Sequence, residues 1–211
     1  MTATLYDLIL TGGKVVDGTG AAARRADVAL KGDRVAAIGD LAAASAKQRL
    51  DVSGKVVAPG FIDVHTHDDN VLLRAPDMTM KASQGVTTVV VGNCGVSLAP
   101  LTLQGPPPPP LDLIGDRGEY RFQHFGDYLD ALDAAPPALN AACLVGHSSL
   151  RAGAMDRLDR PARPDEIRQM TKRLEESMAA GAIGMSTGLY YPPARQAPTE
   201  EVIALARVVK N

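Results

Sequence analysis

Apolar and polar positions alternate in short runs over the first 57 residues, and this pattern predicts strands joined by glycine turns. Tyr6 to Leu10 leads into Thr11-Gly12-Gly13, and Lys14-Val15-Val16 into Asp17-Gly18-Thr19-Gly20. Asp27 to Leu30 and Arg34 to Ile38 flank Lys31-Gly32-Asp33, the pattern of a hairpin. Arg49 to Val52 and Val56-Val57 complete a small, mainly antiparallel β unit, assigned to residues 1–57. Alone it would have a marginal core.

From residue 58 the rhythm becomes strand, loop, helix, four times over. The strand candidates are Phe61–His67, Thr87–Val91, Ala141–Val145 and Ile183–Thr187. Helices are expected at Met78–Ser83, Phe125–Ala134 and Asp165–Ala180, and a fourth after Pro198 with Thr199 as its cap. In the third, Ile167, Met170, Leu174 and Met178 form an apolar stripe that Gly181 ends. In the fourth, Glu200 and Glu201 fall in the first turn, and Val202, Ile203, Leu205, Ala206 and Val209 supply the apolar face. The near-continuous apolar strands indicate a parallel sheet covered by helices, hence an α/β fold. Four such units are half of an eight-stranded barrel. They also fit a smaller open sheet, and the pattern does not separate the two. Pro106 to Pro110 reads as a stiff loop within Gly105 to Gly118.

The chain carries 22 Lys and Arg against 24 Asp and Glu, a net charge of −2. With no basic run, it offers no footprint for nucleic acid or an anionic membrane. No apolar stretch is long enough for a transmembrane helix, and the first residues lack a basic signal region. Two cysteines are too few for a disulfide framework, so a reducing, cytoplasmic setting is expected.

Candidate chemistry begins at the end of the first barrel strand. Side chains alternate along a strand, so His65 and His67 face one side, with Asp63 one pleat below. Two imidazoles placed this way can grip one divalent ion, each nitrogen about 2.0–2.1 Å from zinc. Histidines bound in a core or in solvent are the plainer explanation of the same pattern. The second strand ends in Gly92-Asn93-Cys94-Gly95. Cys94 there could ligate metal as a thiolate, or be a buried small hydrophobe. A Cys–His nucleophile pair would need an orienting partner that the motif does not supply.

These stretches together resemble the N-acyl-D-amino-acid deacylases of the amidohydrolase superfamily. The resemblance is carried by Pro59-Gly60-Phe61-Ile62-Asp63-Val64-His65-Thr66-His67, by Gly92-Asn93-Cys94-Gly95-Val96-Ser97 and by Tyr120-Arg121-Phe122. It continues through Leu144 to Arg151, Ser186 to Ala194 and Thr199 to Ile203. The His-x-His pair marks only the superfamily, whereas the surroundings of Cys94 point to the deacylase branch. The resemblance implies zinc, one or two ions, held by His65, His67 and Cys94. It implies hydrolysis of the amide of a small N-acyl-D-amino acid, and Tyr190 at the substrate's carboxylate end. The hydantoinase and dihydroorotase branches use a carboxylated lysine after the fourth strand, and no lysine lies between Lys172 and Lys210. The family's further histidine ligands, from the barrel's fifth and sixth strands, and its catalytic aspartate, from the eighth, are expected beyond Asn211. The chain thus reads as the front portion of such an enzyme. A generic superfamily hydrolase or deaminase, or a non-catalytic fragment, are the rivals.

His147, closing the third strand, is expected at the substrate side or behind it, and His124 is expected to be structural. Asp68 and Asp69 are candidates to orient an imidazole. Asp63 is expected to stabilise its strand rather than bind metal.

Overall fold

The computed structural model describes residues 5–210, and the chain divides into two compact units after Gly60. In the first, β1 (Leu5–Thr11), β4 (Asp27–Lys31), β5 (Arg34–Gly39) and β6 (Ser45–Asp51) form a sheet ordered β5-β4-β1-β6. A smaller sheet holds β2 (Lys14–Val15) between β3 (Arg24–Arg25) and β7 (Val56–Val57). The β4–β5 hairpin turns at the expected glycine, Gly32, which takes φ +57°. The unit is more mixed than the sequence pattern suggested. β1 pairs with β6, and β2 with β7, in parallel, because these partners are distant in sequence and return in the same direction.

The second unit is built on parallel strands. β8 (Phe61–Asp63) lies beside β9 (Val86–Val91), and β9 beside β12 (Asn140–Cys143). β13 (Val145–Gly146) then pairs with β14 (Met185–Ser186). β10 (Leu101–Thr102) and β11 (Arg121–Phe122) close the proline-rich excursion as a two-residue antiparallel ladder. The helices are α1 (Val71–Arg74), α2 (Thr79–Ala82), α3 (Phe125–Ala134), α4 (His147–Ala154), α5 (Pro164–Ala180) and α6 (Thr199–Val209).

Each of the four expected barrel strands exists, but three are shorter or interrupted. β8 stops at Asp63, and a single bond from the Thr66 amide to the Val90 carbonyl continues the pairing. The third strand breaks at Leu144, whose amide still reaches the Val91 carbonyl at 2.9 Å. Regular pairing of the fourth is confined to Met185–Ser186.

α5 follows its sequence closely. Pro164 opens it with a preset φ, and the Arg163 amide donates to Glu166 at 2.7 Å. Met170 and Leu174 are fully buried, each contributing about 1.5–3 kcal/mol by burial. Gly181 ends the helix at φ +118°. In α6 the cap is Pro198, and Thr199 is already helical. Its inward face also differs from the expected one: Ile203 is exposed, while Glu201 is fully buried beside Leu205. No helix among the described residues is long and apolar enough to cross a membrane.

Candidate metal centre

His65 and His67 lie just past β8, and Cys94 lies in the turn that follows β9. One ligand atom from each falls within 4.8 Å of the others. The His65 Nε2 is 3.0 Å from the Cys94 Sγ. The two imidazoles meet edge to face, their centroids 5.8 Å apart. Nδ1 of His67 is buried and has no hydrogen-bond partner. A soft cysteine sulfur and two imidazoles, one of them with a buried nitrogen that has no partner, form a donor set suited to zinc.

The turn that presents Cys94 is unusual backbone. Gly92 and Gly95 both take φ +79°, and Cys94 itself sits at φ +56°, a left-handed conformation costly for any residue with a Cβ. Gly92 cannot be replaced easily, because a Cβ there would stand 2.1 Å from the Leu144 carbonyl oxygen. The Asn93 amide ties this turn to the histidine segment. Its Nδ2 donates to Val90 O at 2.8 Å and to Thr66 O, between the two histidines, at 3.3 Å.

Charge around the cluster is ordered by Lys81, a residue the sequence reading did not single out. Its ammonium lies 2.5 Å from Asp63 and 3.1 Å from Asp68. Burial opposes the charge on Lys81, but these two carboxylates outweigh it and raise its pKa. The Lys81 hydrogen bond holds the Asp63 carboxyl below the ordinary carboxylate range. Asp63 thus binds the lysine through one oxygen, while the other accepts from the His65 amide at 3.3 Å. Burial, helped by the neighbouring His65, lowers the His67 pKa and favours the neutral ring that a metal requires. Asp69 is almost wholly buried, and burial pushes its carboxyl up to about 7. His67 also borders an open cleft of about 510 Å³ that Asn70, Arg74 and Glu119 help to line.

The remaining candidates lie elsewhere. His147 is fully buried. Its Nδ1 is 2.9 Å from Thr187 Oγ1 and its Nε2 2.9 Å from Glu201 Oε1. Both nitrogens are thus engaged inside the protein, and the expectation of substrate contact gives way to a fixed internal post. Tyr190 is 82% exposed, flanked by Tyr191 and by the Arg195 guanidinium. His124 precedes α3, its amide donating to Asp127. Cys143 is buried in the core. The roles of Lys81, Asn93 and Glu201 are not legible in the local pattern, because each depends on a partner that folding brings close.

The model of the family described as "Amidohydrolase family" matches residues 48–211. The chain belongs to the amidohydrolase family. Among similar proteins is a D-aminoacylase of Alcaligenes xylosoxydans xylosoxydans, 61% identical over 96% of this chain and 42% of its own length. An N-acyl-D-glutamate deacylase of the same organism is 49% identical over 96% of this chain and 41% of its own length. The resemblance to the N-acyl-D-amino-acid deacylases thus extends over nearly the whole chain. The chain spans about two fifths of the length of these relatives. A solved D-aminoacylase structure, described as having a binuclear metal centre, superposes with a TM-score of 0.94 at 60% identity. It covers 97% of this chain and 43% of that one. An N-acyl-D-glutamate deacylase from Bordetella bronchiseptica, solved with zinc and a phosphonate inhibitor, gives 0.91 at 47%, with the same coverage.

Proposed function

We propose that this chain supplies the His65, His67 and Cys94 ligands of a zinc-dependent hydrolase acting on the amide bond of N-acyl-D-amino acids. The products are a carboxylic acid and a D-amino acid. The observation that carries the reading is the convergence of three metal-binding atoms from two neighbouring strand ends within 4.8 Å. Relatives of up to 61% identity bear the names of such deacylases, which supports the substrate class.

Zinc, one or two ions, would supply Lewis acidity toward the amide carbonyl and a low pKa for attached water. The chain's own residues hold the donors in place. Asn93 spans from the cysteine turn to the carbonyl between the histidines, and Lys81 neutralises the carboxylates beneath them. Tyr190, exposed after β14, is assigned to the carboxylate end of the substrate.

The parallel strands and their helices fit the first half of a (β/α)-barrel. Phe61, Ile62, Val64 and Ile183 are each more than half exposed, as expected of strands whose apolar partners lie in the further length that the relatives possess. That length would bring the remaining ligands and the proton-transferring aspartate. A thiol ligand must stay reduced, which fits a cytoplasmic enzyme.

The test is hydrolysis of N-acetyl-D-methionine against its L-form by the zinc-loaded protein in its full-length form. Release of the D-amino acid alone supports the reading. Equal turnover of both forms, or deamination of a nucleobase instead, would overturn it.

A further inference from the structure

Ser186 closes β14, yet its hydroxyl reaches the turn after β9, more than ninety residues back in the chain. It accepts a hydrogen bond from the Gly95 amide at 2.8 Å and donates one to the Gly92 carbonyl at 2.5 Å. These partners lie on either side of Cys94. The one hydroxyl therefore brackets the residue whose backbone is held at φ +56°.

The enclosure is completed by backbone. A Cβ on Gly188 would stand 2.3 Å from the Cys94 carbonyl oxygen, and one on Gly146 would stand 2.5 Å from the Gly95 carbonyl oxygen. A left-handed non-glycine residue persists only where its surroundings over-determine it. Here those surroundings come from the ends of the third and fourth parallel strands.

We infer that Ser186 is a positioning residue for the Cys94 thiolate, its hydroxyl locking the turn that aims the sulfur at His65 and His67. The inference rests on the proposed metal site and adds to it a residue that touches neither metal nor substrate. The reason is geometric. Without the hydroxyl, the Gly95 amide and the Gly92 carbonyl lose a shared partner, and Cys94 can relax toward negative φ. The sulfur then swings away from the imidazoles. A residue supporting the fold alone would lower stability without altering the thiolate–metal bond.

The experiment is titration with Co(II), following the thiolate-to-cobalt charge-transfer absorption, in the unsubstituted protein and in Ser186→Ala. The isosteric pair Ser186→Thr and Ser186→Val is measured alongside, because these two differ chiefly in the hydroxyl. Circular dichroism establishes that each is folded. Ser186→Ala and Ser186→Val are expected to weaken cobalt binding by about 10–100-fold and to diminish the sulfur band. Ser186→Thr is expected to keep both. If folded Val and Thr variants bind cobalt equally with the same band, the positioning role is wrong while the metal site stands. A missing sulfur band in the unsubstituted protein would remove the metal site, and the inference with it.

Discussion

Arg151 and Glu201 meet in the interior with neither side chain exposed to solvent, Nη1 lying 2.5 Å from Oε1 and 2.7 Å from Oε2. The same carboxylate accepts from His147, and Arg151 donates onward to the carbonyls of Pro193 and Arg160. His147 reaches Thr187, so one buried network grips both ends of the segment that carries Tyr190. Burial alone would raise the Glu201 pKa, but the bonds from His147 and Arg151 outweigh it and hold it below the usual range. A depressed folded-state pKa adds stability above the unfolded value, and this is lost as pH falls through the folded value. Glu201→Gln is expected to cost about 3–5 kcal/mol in urea denaturation, because it leaves a buried guanidinium without its counter-charge. The double change Arg151→Met with Glu201→Leu is expected to cost less than the single one.

Lys81 joins Asp63 and Asp68 beneath the histidine pair. Lys81→Met would leave two carboxylates facing each other without a cation. A loss of about 1–3 kcal/mol is expected, together with weaker zinc retention on dialysis. Unaltered zinc content would show that the lysine supports the fold and not the ligand geometry.

Asp69 behaves in the opposite sense to Glu201. Its folded pKa is raised by burial from 3.8 to about 7. Between those values the native state holds the proton that the unfolded chain releases, so metal-free stability falls as pH rises through that window. Relative to Asp69→Asn, the unsubstituted protein is therefore expected to lose unfolding free energy from pH 4 to 7 and then level off. Parallel curves for the two proteins would contradict the assignment.

Zinc stoichiometry tests the cluster itself. His67→Ala and Cys94→Ala are each expected to lower the zinc content of purified protein, measured by atomic emission, while circular dichroism is unchanged. Full retention in both variants would leave the cluster without a ligand role.

Tyr190 is exposed and touches mainly Tyr191 and Arg195, so its removal should barely alter folding. Tyr190→Ala is expected to shift stability by less than about 0.5 kcal/mol. In the full-length enzyme, KM should rise while kcat changes little. A loss of kcat with KM unchanged would place the tyrosine at the reacting atoms instead.

Much of this arrangement is written locally in the chain. Apolar periodicity marks α3 to the residue and α5 to within one, because an amphipathic stripe, its acidic first turn and Gly181 are neighbours in sequence. Strand alternation likewise puts His65 and His67 on one side, since the period of two is a property of the strand itself. What the sequence alone could not decide is everything that depends on partners far along the chain. It left Cys94 between ligand and core hydrophobe, and folding brought its sulfur to 3.0 Å from an imidazole. Its local pattern places Glu201 as an ordinary first-turn carboxylate and His147 at the substrate side or behind it, yet both are sealed inside, where Glu201 of α6 meets His147 and Arg151 of α4. Ser186 looked like one more strand residue until β14 came to lie two strands from β9. Hydrogen bonds and desolvation act through space over a few ångströms, so groups ninety residues apart acquire their roles only when packing places them in contact.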